Sequence, residues 1–236
     1  MKVDLHVHTC YSIDCCTPLE RIVDRCIEIG MDCIAIADHN TIAGALKIKE
    51  IAPFKVIIAE EILTPVGELM GLFLSEEIPK GLSPQETIDR IIKQGGLVNI
   101  PHPFGRSLFW NSNVLISPEI LTQVDVIEAF NSRTPFANSS IKARELADKY
   151  NKPIGAGSDA HTAGEIGKAY VEMPEFNGPE DFLDCLSRGS IFGQRSKFFI
   201  HFASTWAKMG KRLGFYPNPD SPPSPEKDYT DRNGSC

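Results

Sequence analysis

Short apolar runs alternate along the chain with stretches whose apolar residues recur at helical spacing. The apolar runs predict strands at residues 3–7, 33–37, 55–59, 69–74, 97–100, 124–130 and 153–157. The helical spacing predicts helices at residues 18–29, 41–52, 84–93, 139–150 and 179–187. A repeated order of strand and helix favours a parallel sheet or barrel, so the predicted fold class is α/β.

Two of these helices begin with a recognisable start signal. Thr17 is predicted to cap the first helix, with Pro18 at its first position and Glu20 three residues after the cap. Ser83 and Glu86 repeat this capping pattern before the third helix. The sequence therefore predicts where both helices start.

Polar side chains suited to chemistry follow the predicted strands. They are His39, Glu61, His102, Asn131, Asp159 and His161. Active sites of α/β barrels lie at the carboxyl ends of the strands. Position and residue type together therefore indicate a site at one end of a barrel.

The first strand carries the run Asp4-Leu5-His6-Val7-His8. Because alternate residues of a strand point to one face, we expect Asp4, His6 and His8 to share a face, with the apolar residues opposite. The two imidazoles would lie about 7 Å apart along the strand. They could converge on one metal ion through bonds of about 2 Å.

The composition is that of an acidic globular protein. The 236 residues are 42% hydrophobic and 23% charged, with a formal net charge of −7. This charge argues against broad binding to nucleic-acid backbones or anionic membranes. It leaves room for a small phosphorylated substrate held through metal ions.

The organisation along the chain predicts one domain at residues 1–215. Residues 216–236 are rich in Pro, Ser and Asp and are expected to form a disordered tail. The chain has no apolar run of membrane-span length, no signal-peptide pattern and no C-x-x-C spacing among its seven cysteines. We therefore expect a cytoplasmic protein with reduced thiols, and the oligomeric state is left open.

Five of the six histidines stand in short polar motifs. They are His6, His8, His39, His102 and His161. Glu61 follows an apolar run, where a carboxylate is usually paired or bound to a metal. Nitrogen and oxygen ligands in this mixture suit Zn, Mn or Fe. The sequence therefore predicts a metal centre.

The ordered motifs D-x-H-x-H, D-H-N, apolar-E, P-H-P and S-D-A-H resemble those of the PHP superfamily. This is the polymerase-and-histidinol-phosphatase group of metal-dependent phosphoesterases, and the resemblance covers about residues 2–200. It implies a distorted (β/α)7 barrel with up to three metal ions at the carboxyl ends of the strands.

Carried over by position, the resemblance implies three sets of ligands. The first ion would be held by His6, His8, Glu61 and Asp159, the second by Glu61 and His102, and the third by Asp14, His39 and His161. Glu61 would bridge the first two ions. It is preferred over Glu60 because the family's glutamate stands directly before an aliphatic residue, here Ile62.

The chain departs from the family pattern at the second ion. Many members supply a histidine from the strand after the bridging glutamate, and residues 67–72 contain none. Glu68 could replace it, or the second site could be weak or empty. The expected cofactor is therefore two or three divalent ions.

The resemblance implies hydrolysis of a phosphate ester by metal-activated hydroxide. Two residues outside the ligand sets are candidates for catalysis. Asp38 could orient His39 or shuttle a proton, although a supporting or helix-capping role suits it equally. Arg133 could clamp a phosphate, with Arg106 and Arg195 as other candidates.

The expected substrate is a small phosphorylated metabolite or a nucleotide. Two alternatives stay open. One is an exonuclease acting on short single-stranded nucleic acid, which the acidic composition disfavours because strand binding usually needs a basic, aromatic-lined surface. The other is a metal-stabilised binding module without turnover.

Overall fold

The computed structural model describes residues 1–105, 117–196 and 200–215, together with Pro219. Arg106 lies outside the described residues. So does the tail predicted at residues 216–236, apart from Pro219. The expectations for both stay predictions.

Nine strands form one sheet in the described part of the chain. They are β1 (Lys2–Val7), β2 (Cys33–Ile36), β3 (Lys55–Thr64), β4 (Gly67–Leu72), β5 (Leu97–Ile100), β6 (Val126–Asn131), β7 (Ile154–Gly157), β8 (Ala169–Glu172) and β9 (Ser190–Gly193). Their spatial order is β7-β6-β5-β4-β3-β2-β1-β8-β9.

Helices follow most of the parallel strands. They are α1 (Leu19–Ile29), α2 (Ala43–Ile51), α3 (Pro84–Lys93), α4 (Pro118–Leu121), α5 (Ala137–Tyr150), α6 (Pro179–Ser187) and α7 (Ile200–Arg212), with a 3-10 turn at Ala163–Glu165. Within the described residues, none of these helices combines the length and the hydropathy that a membrane span requires.

The sheet is mixed and nearly closed into a barrel. Strands β1, β2 and β3 run parallel, as do β5, β6 and β7, whereas β4, β8 and β9 pair antiparallel with their neighbours. The edge strand β7 approaches β1, where the His8 amide donates to the Ala160 carbonyl at 2.9 Å. This confirms the α/β class and a distorted barrel, with the β3–β4 hairpin as the main interruption of the βα repeat.

Two apolar clusters hold the sheet, one on each face. On β2, Ile34 and Ile36 join the cluster that contains Ile48 of α2. Cys33 and Ala35 alternate with them and join the other cluster, which contains Phe182 of α6. Because successive strand residues point to opposite faces, one cluster lies under the helices and the other inside the barrel.

A β-bulge in β1 changes the predicted alternation. The pairing between β1 and β2 shifts register between Asp4 and Val7. The Asp4 carboxylate accepts hydrogen bonds from the amides of Ser158 (2.9 Å) and Gly167 (3.1 Å). The expectation that Asp4 would share a face with His6 and His8 is therefore wrong, because a bulge inserts one extra residue and breaks the period of two.

The two predicted helix caps have different outcomes. Ser83 accepts a hydrogen bond from the Glu86 amide, and Glu86 returns the contact, so the capping box before α3 is confirmed. The cap of α1 is Pro18, and Thr17 makes no capping bond. The Thr17 hydroxyl instead donates to the His161 carbonyl at 2.8 Å. The predicted Thr17 cap is therefore wrong, because the hydroxyl is hydrogen-bonded to the turn after β7.

Candidate metal centre

Strand ends bring five histidines together at one mouth of the barrel. They are His6 and His8 from β1, and His39, His102 and His161, which follow β2, β5 and β7. Neighbouring imidazole rings among them lie with centroids 4.3–5.7 Å apart. Acidic side chains reach the same place from β3, β4, the loop after β1 and the turn after β7. The predicted strand-end residues therefore meet in space.

The first group of donor atoms surrounds Glu61 Oε2. His6 Nε2 lies 3.3 Å from that oxygen, and His8 Nε2 lies 3.5 Å from it. The two Nε2 atoms are 3.1 Å apart, and Asp159 Oδ1 is 3.4 Å from His8 Nε2. Donors bound at about 2.1 Å to one tetrahedral ion lie about 3.4 Å apart, so this spacing fits a shared cation.

A second group forms around Asp14 in the loop after β1. Its Oδ2 lies 3.3 Å from His39 Nε2, and its Oδ1 lies 3.1 Å from His161 Nε2. With His8, one ligand atom from each of these residues falls within 4.8 Å of the others. His161 Nε2 is buried and makes no hydrogen bond of normal geometry to Asp14 Oδ1, so a cation between the two atoms would satisfy both.

A third group contains Glu61 and Glu68 of the β3–β4 hairpin. Glu61 Oε1 is 2.9 Å from His102 Nε2. Glu68 extends from β4 between two rings, 3.7 Å from His39 Nδ1 and 3.9 Å from His102 Nε2. Glu68 therefore stands where the sequence lacks the expected histidine.

Burial and neighbouring charges shift the pKa values of the residues in this centre in different directions. Burial alone would raise the pKa of Glu61, but His39, His6 and His102 hold it well below its usual value. Burial would lower the pKa of His39, yet Glu61 and Asp14 raise it to about 10. Burial, together with His161, lowers the pKa of His8 to about 3. An ionised carboxylate beside a neutral imidazole is a donor pair ready for a cation.

Two of these residues have unusual backbone conformations. His102 has φ of 28° and Asp159 has φ of 53°, a region that residues with a Cβ rarely adopt. Such conformations persist only where the surroundings fix them, and they cluster at functional sites. Their position directly after β5 and β7 turns both side chains into the centre.

The neighbouring residue Glu60 points elsewhere. Its Oε2 accepts a hydrogen bond from the Ile78 amide at 2.9 Å, and burial raises the pKa of Glu60 to about 8. Since adjacent strand residues face opposite sides, only Glu61 of this pair reaches the histidines.

The two candidates for catalysis lie in supporting positions. Both oxygens of Asp38 accept hydrogen bonds from Thr9, one from its amide and one from its hydroxyl, each at 2.6 Å. Arg133 is 2% exposed, and its Nε donates to Glu165 at 2.8 Å. These contacts tie Asp38 to the loop after β1 and tie Arg133 to the 3-10 turn after β7.

Sequence reasoning missed two buried carboxylates at the edge of the centre. Glu128 of β6 lies 3.0 Å from His6 Nδ1. Glu165 accepts hydrogen bonds from the His161 amide and from Arg133. The signal for Glu128 was present, since it stands within the apolar run of β6 as Glu61 does within β3. Glu165 follows no such run, and the sequence offers no comparable signal for it.

Family comparisons agree with this geometry. Residues 4–69 match the PHP domain, and residues 140–191 match the PHP-associated domain that accompanies it. The chain belongs to the PHP superfamily. The two matched segments include the His6–His8 run, His39, Glu61 and the Asp159–His161 turn, and the family resemblance derived from the sequence is thereby confirmed.

Other proteins resemble this chain in sequence or in fold. Protein MJ0417 of Methanocaldococcus jannaschii is 40% identical over 196 residues, which cover 79% of each chain. A two-domain protein from Bacteroides vulgatus, described as containing a predicted PHP-like metal-dependent phosphoesterase, has a TM-score of 0.64 at 18% identity and covers 82% of this chain. The chain spans 65% of that protein's length. PsfC from Pseudomonas syringae has a TM-score of 0.63 at 15% identity, covering 89% of this chain and 98% of its own.

Proposed function

We propose that this PHP protein is a metal-dependent phosphoesterase that hydrolyses a small phosphorylated metabolite or a nucleotide. The observation that carries the proposal is the convergence of four overlapping groups of His, Asp and Glu donors at one mouth of the barrel. A mouth crowded with ionised carboxylates would repel a phosphate unless cations lay between them, so the charge pattern favours metal-mediated binding.

We assign the ligands in three sets. The first ion is held by His6, His8, Glu61 and Asp159, the second by Glu61, His102 and Glu68, and the third by Asp14, His39 and His161. The bridging role of Glu61 is supported by its two oxygens, which face different imidazoles. Carboxylates and imidazoles together suit Zn, Mn or Fe.

Ions bound in these sets would supply a hydroxide at neutral pH and would neutralise the phosphoryl oxygens. The protein's own groups prepare that chemistry. Asp38 holds the loop after β1, which carries Asp14, through its two bonds to Thr9. Arg133 holds the turn that carries His161, through Glu165. We therefore assign both Asp38 and Arg133 as positioning residues.

An assay panel tests this proposal. Protein loaded with Mn²⁺ is given phosphomonoesters, including nucleoside monophosphates, and in parallel a short single-stranded oligonucleotide. We expect turnover on at least one phosphomonoester. Turnover on the oligonucleotide alone would establish the exonuclease alternative instead. Full metal loading with no turnover on either substrate class would establish the binding-module alternative.

A matched pair of variants makes the assay specific to the centre. Glu61→Gln removes the bridging charge and is expected to lower both bound metal and turnover at least 100-fold. Glu60→Gln changes the adjacent carboxyl, which faces the Ile78 amide, and is expected to keep both. Equal activity of the two variants would contradict the assignment of Glu61.

A further inference from the structure

Glu128 is a buried carboxylate that no ligand set uses. It lies in the middle of β6 and is 2% exposed, between the apolar residues Ile127 and Ala129. A carboxylate costs several kcal/mol in such surroundings unless every oxygen is satisfied by donors. The contacts that satisfy it therefore indicate why the chain keeps it there.

One oxygen of Glu128 fixes the ring of His6. Glu128 Oε1 lies 3.0 Å from His6 Nδ1, while His6 Nε2 faces Glu61 and His8. Because a carboxylate facing Nδ1 accepts a hydrogen bond from it, a ring that ligates a cation through Nε2 keeps its proton on Nδ1. A partner of this kind also raises the basicity of a ligating imidazole.

The other oxygen reaches the residues of two further ligands. Glu128 Oε2 accepts from the amide of His102 at 2.7 Å and from Nδ2 of Asn131 at 3.0 Å. The same Asn131 nitrogen lies 3.3 Å from Asp159 Oδ2. The bond to the His102 amide also holds a residue whose φ is 28°, a conformation that the chain would not keep unaided.

The local packing leaves space for this contact. A Cβ on Gly157 of β7 would lie 2.2 Å from the His6 Cβ and 2.8 Å from Glu128 Oε1. Only glycine therefore lets β7 pass this closely behind the His6–Glu128 pair.

The remaining ligands are supported by a different carboxylate. Glu165 Oε2 accepts from the amides of His161 (3.2 Å) and Thr162 (3.0 Å), and its Oε1 accepts from Arg133. Glu128 thus contacts residues of the first and second ion sets, whereas Glu165 contacts the turn that carries a ligand of the third.

We propose that Glu128 is a positioning residue that couples the first and second ion sites through its two oxygens, and that His39 and His161 of the third site are positioned without it. It sets the tautomer of His6, the backbone of His102 and, through Asn131, the carboxylate of Asp159. The inference rests on the metal centre proposed above, and it adds that two of the ions bind as a pair.

The test compares Zn²⁺ binding to two isosteric variants, measured separately at each histidine of the centre. Glu128→Gln and Glu165→Gln are titrated with Zn²⁺ in the full-length protein, and each histidine ring is followed by its ¹⁵N chemical shifts. In Glu128→Gln we expect the rings of His6 and His102 to respond only at Zn²⁺ concentrations about 10 to 100-fold above wild type. We expect the rings of His39 and His161 to respond as in wild type.

Glu165→Gln is expected to show the reverse pattern, with weaker binding at His161 and unchanged binding at His6. If Glu128→Gln keeps wild-type affinity at all rings, or weakens all of them equally, the coupling proposal is overturned. Wild-type protein whose rings do not respond to Zn²⁺ at all would instead overturn the metal centre itself, so the two failures are distinguishable.

A variant with a shorter acidic side chain keeps the proposal testable if Glu128→Gln does not fold. Glu128→Asp keeps the charge but withdraws the carboxylate by one methylene. It is expected to weaken Zn²⁺ binding at His6 and His102 by less than the glutamine variant, with His39 and His161 unchanged. Wild-type affinity at His6 and His102 in this variant would also contradict the proposal.

Discussion

His6 has a polar neighbour at each ring nitrogen. Nδ1 meets Glu128 at 3.0 Å, and Nε2 lies 3.1 Å from His8 Nε2. Two imidazole nitrogens this close, with ionised oxygens around them, form a favourable arrangement only if protons or a metal ion lie between them. The orientation of a ligand such as His6 therefore depends on the residue that contacts it as well as on its own side chain.

Gly157 is a position where a substitution should disturb His6. A methyl group there would overlap His6 Cβ at 2.2 Å, so Gly157→Ala must displace the His6 ring or β7. We expect metal affinity to fall at least 10-fold, because misplacing a ligand costs about as much as losing its support. The measurement is competition with a chelator of known affinity.

The matched control for Gly157→Ala is Gly164→Ala in the neighbouring 3-10 turn. A Cβ at Gly164 would have no atom within 4 Å. That variant is expected to bind metal as wild type does. Equal metal affinity in both variants would show that the close approach at Gly157 has no role in the centre.

The elements differ in how far the sequence predicts them. Strands with dense apolar runs, such as β2 and β5, are found at or within one residue of their predicted bounds. Strands β8 and β9 were missed, because β8 buries only Ala169 and Val171 and β9 is mostly exposed, so neither shows the buried apolar run of β2. The β1 bulge was missed because a register shift depends on the partner strand, and the local pattern does not encode it.

The ligands of the candidate site were more predictable from sequence than the residues that hold those ligands in position. Most ligands lie near the ends of strands or just after them, and short motifs such as Asp159-Ala160-His161 mark those places in the sequence. Supports such as Glu165 act through backbone amides and through Arg133, which comes from a different element. Pairings between distant elements leave no local pattern in a single sequence.

The ion pair between Arg133 and Glu165 yields a prediction about how the elements are joined. Arg133 follows β6, Glu165 ends the 3-10 turn, and the Arg133 guanidinium also donates to Ser204 of α7. Removing one partner of a buried pair leaves the other charge uncompensated, so Arg133→Ala is expected to lower the free energy of unfolding by about 3–5 kcal/mol. Urea denaturation in the presence of a chelator measures this without a contribution from metal.

An exposed ion pair serves as the control for Arg133→Ala. Arg188 Nη2, directly after α6, lies 2.7 Å from Oδ2 of Asp184 on that helix, and the two side chains are 57% and 71% exposed. Arg188→Ala is expected to cost less than about 1 kcal/mol, because solvent screens such pairs. If Arg133→Ala cost no more than Arg188→Ala, the three elements would not depend on this contact.

At the scale of the whole molecule, the nearly closed barrel concentrates negative charge at one mouth. Asp14, Glu61 and Asp159 are all buried there, and the fold must hold them together against their repulsion. Bound cations would remove that repulsion, and they would bind the folded state in preference to the unfolded chain. Metal binding should therefore stabilise the entire barrel.

Metal removal tests this link between the centre and the fold. A single ion present at 100 times its Kd stabilises a protein by about 2.7 kcal/mol. For a domain of this size we expect chelation to lower Tm by at least about 5 °C, and Mn²⁺ addition to restore it. Glu61→Gln should show a much smaller change. If Tm were the same with and without chelator, the cluster of His, Asp and Glu side chains would not stabilise the fold by binding metal.

The central claim is that these imidazoles and carboxylates hold divalent ions in common. Anomalous diffraction from crystals grown with Mn²⁺ tests it most directly. We expect at least two anomalous peaks, each within about 2.0–2.3 Å of an oxygen of Glu61 and of a histidine nitrogen. If crystals of the folded protein equilibrated with Mn²⁺ show no peak within bonding distance of Glu61, these side chains do not hold divalent ions in common.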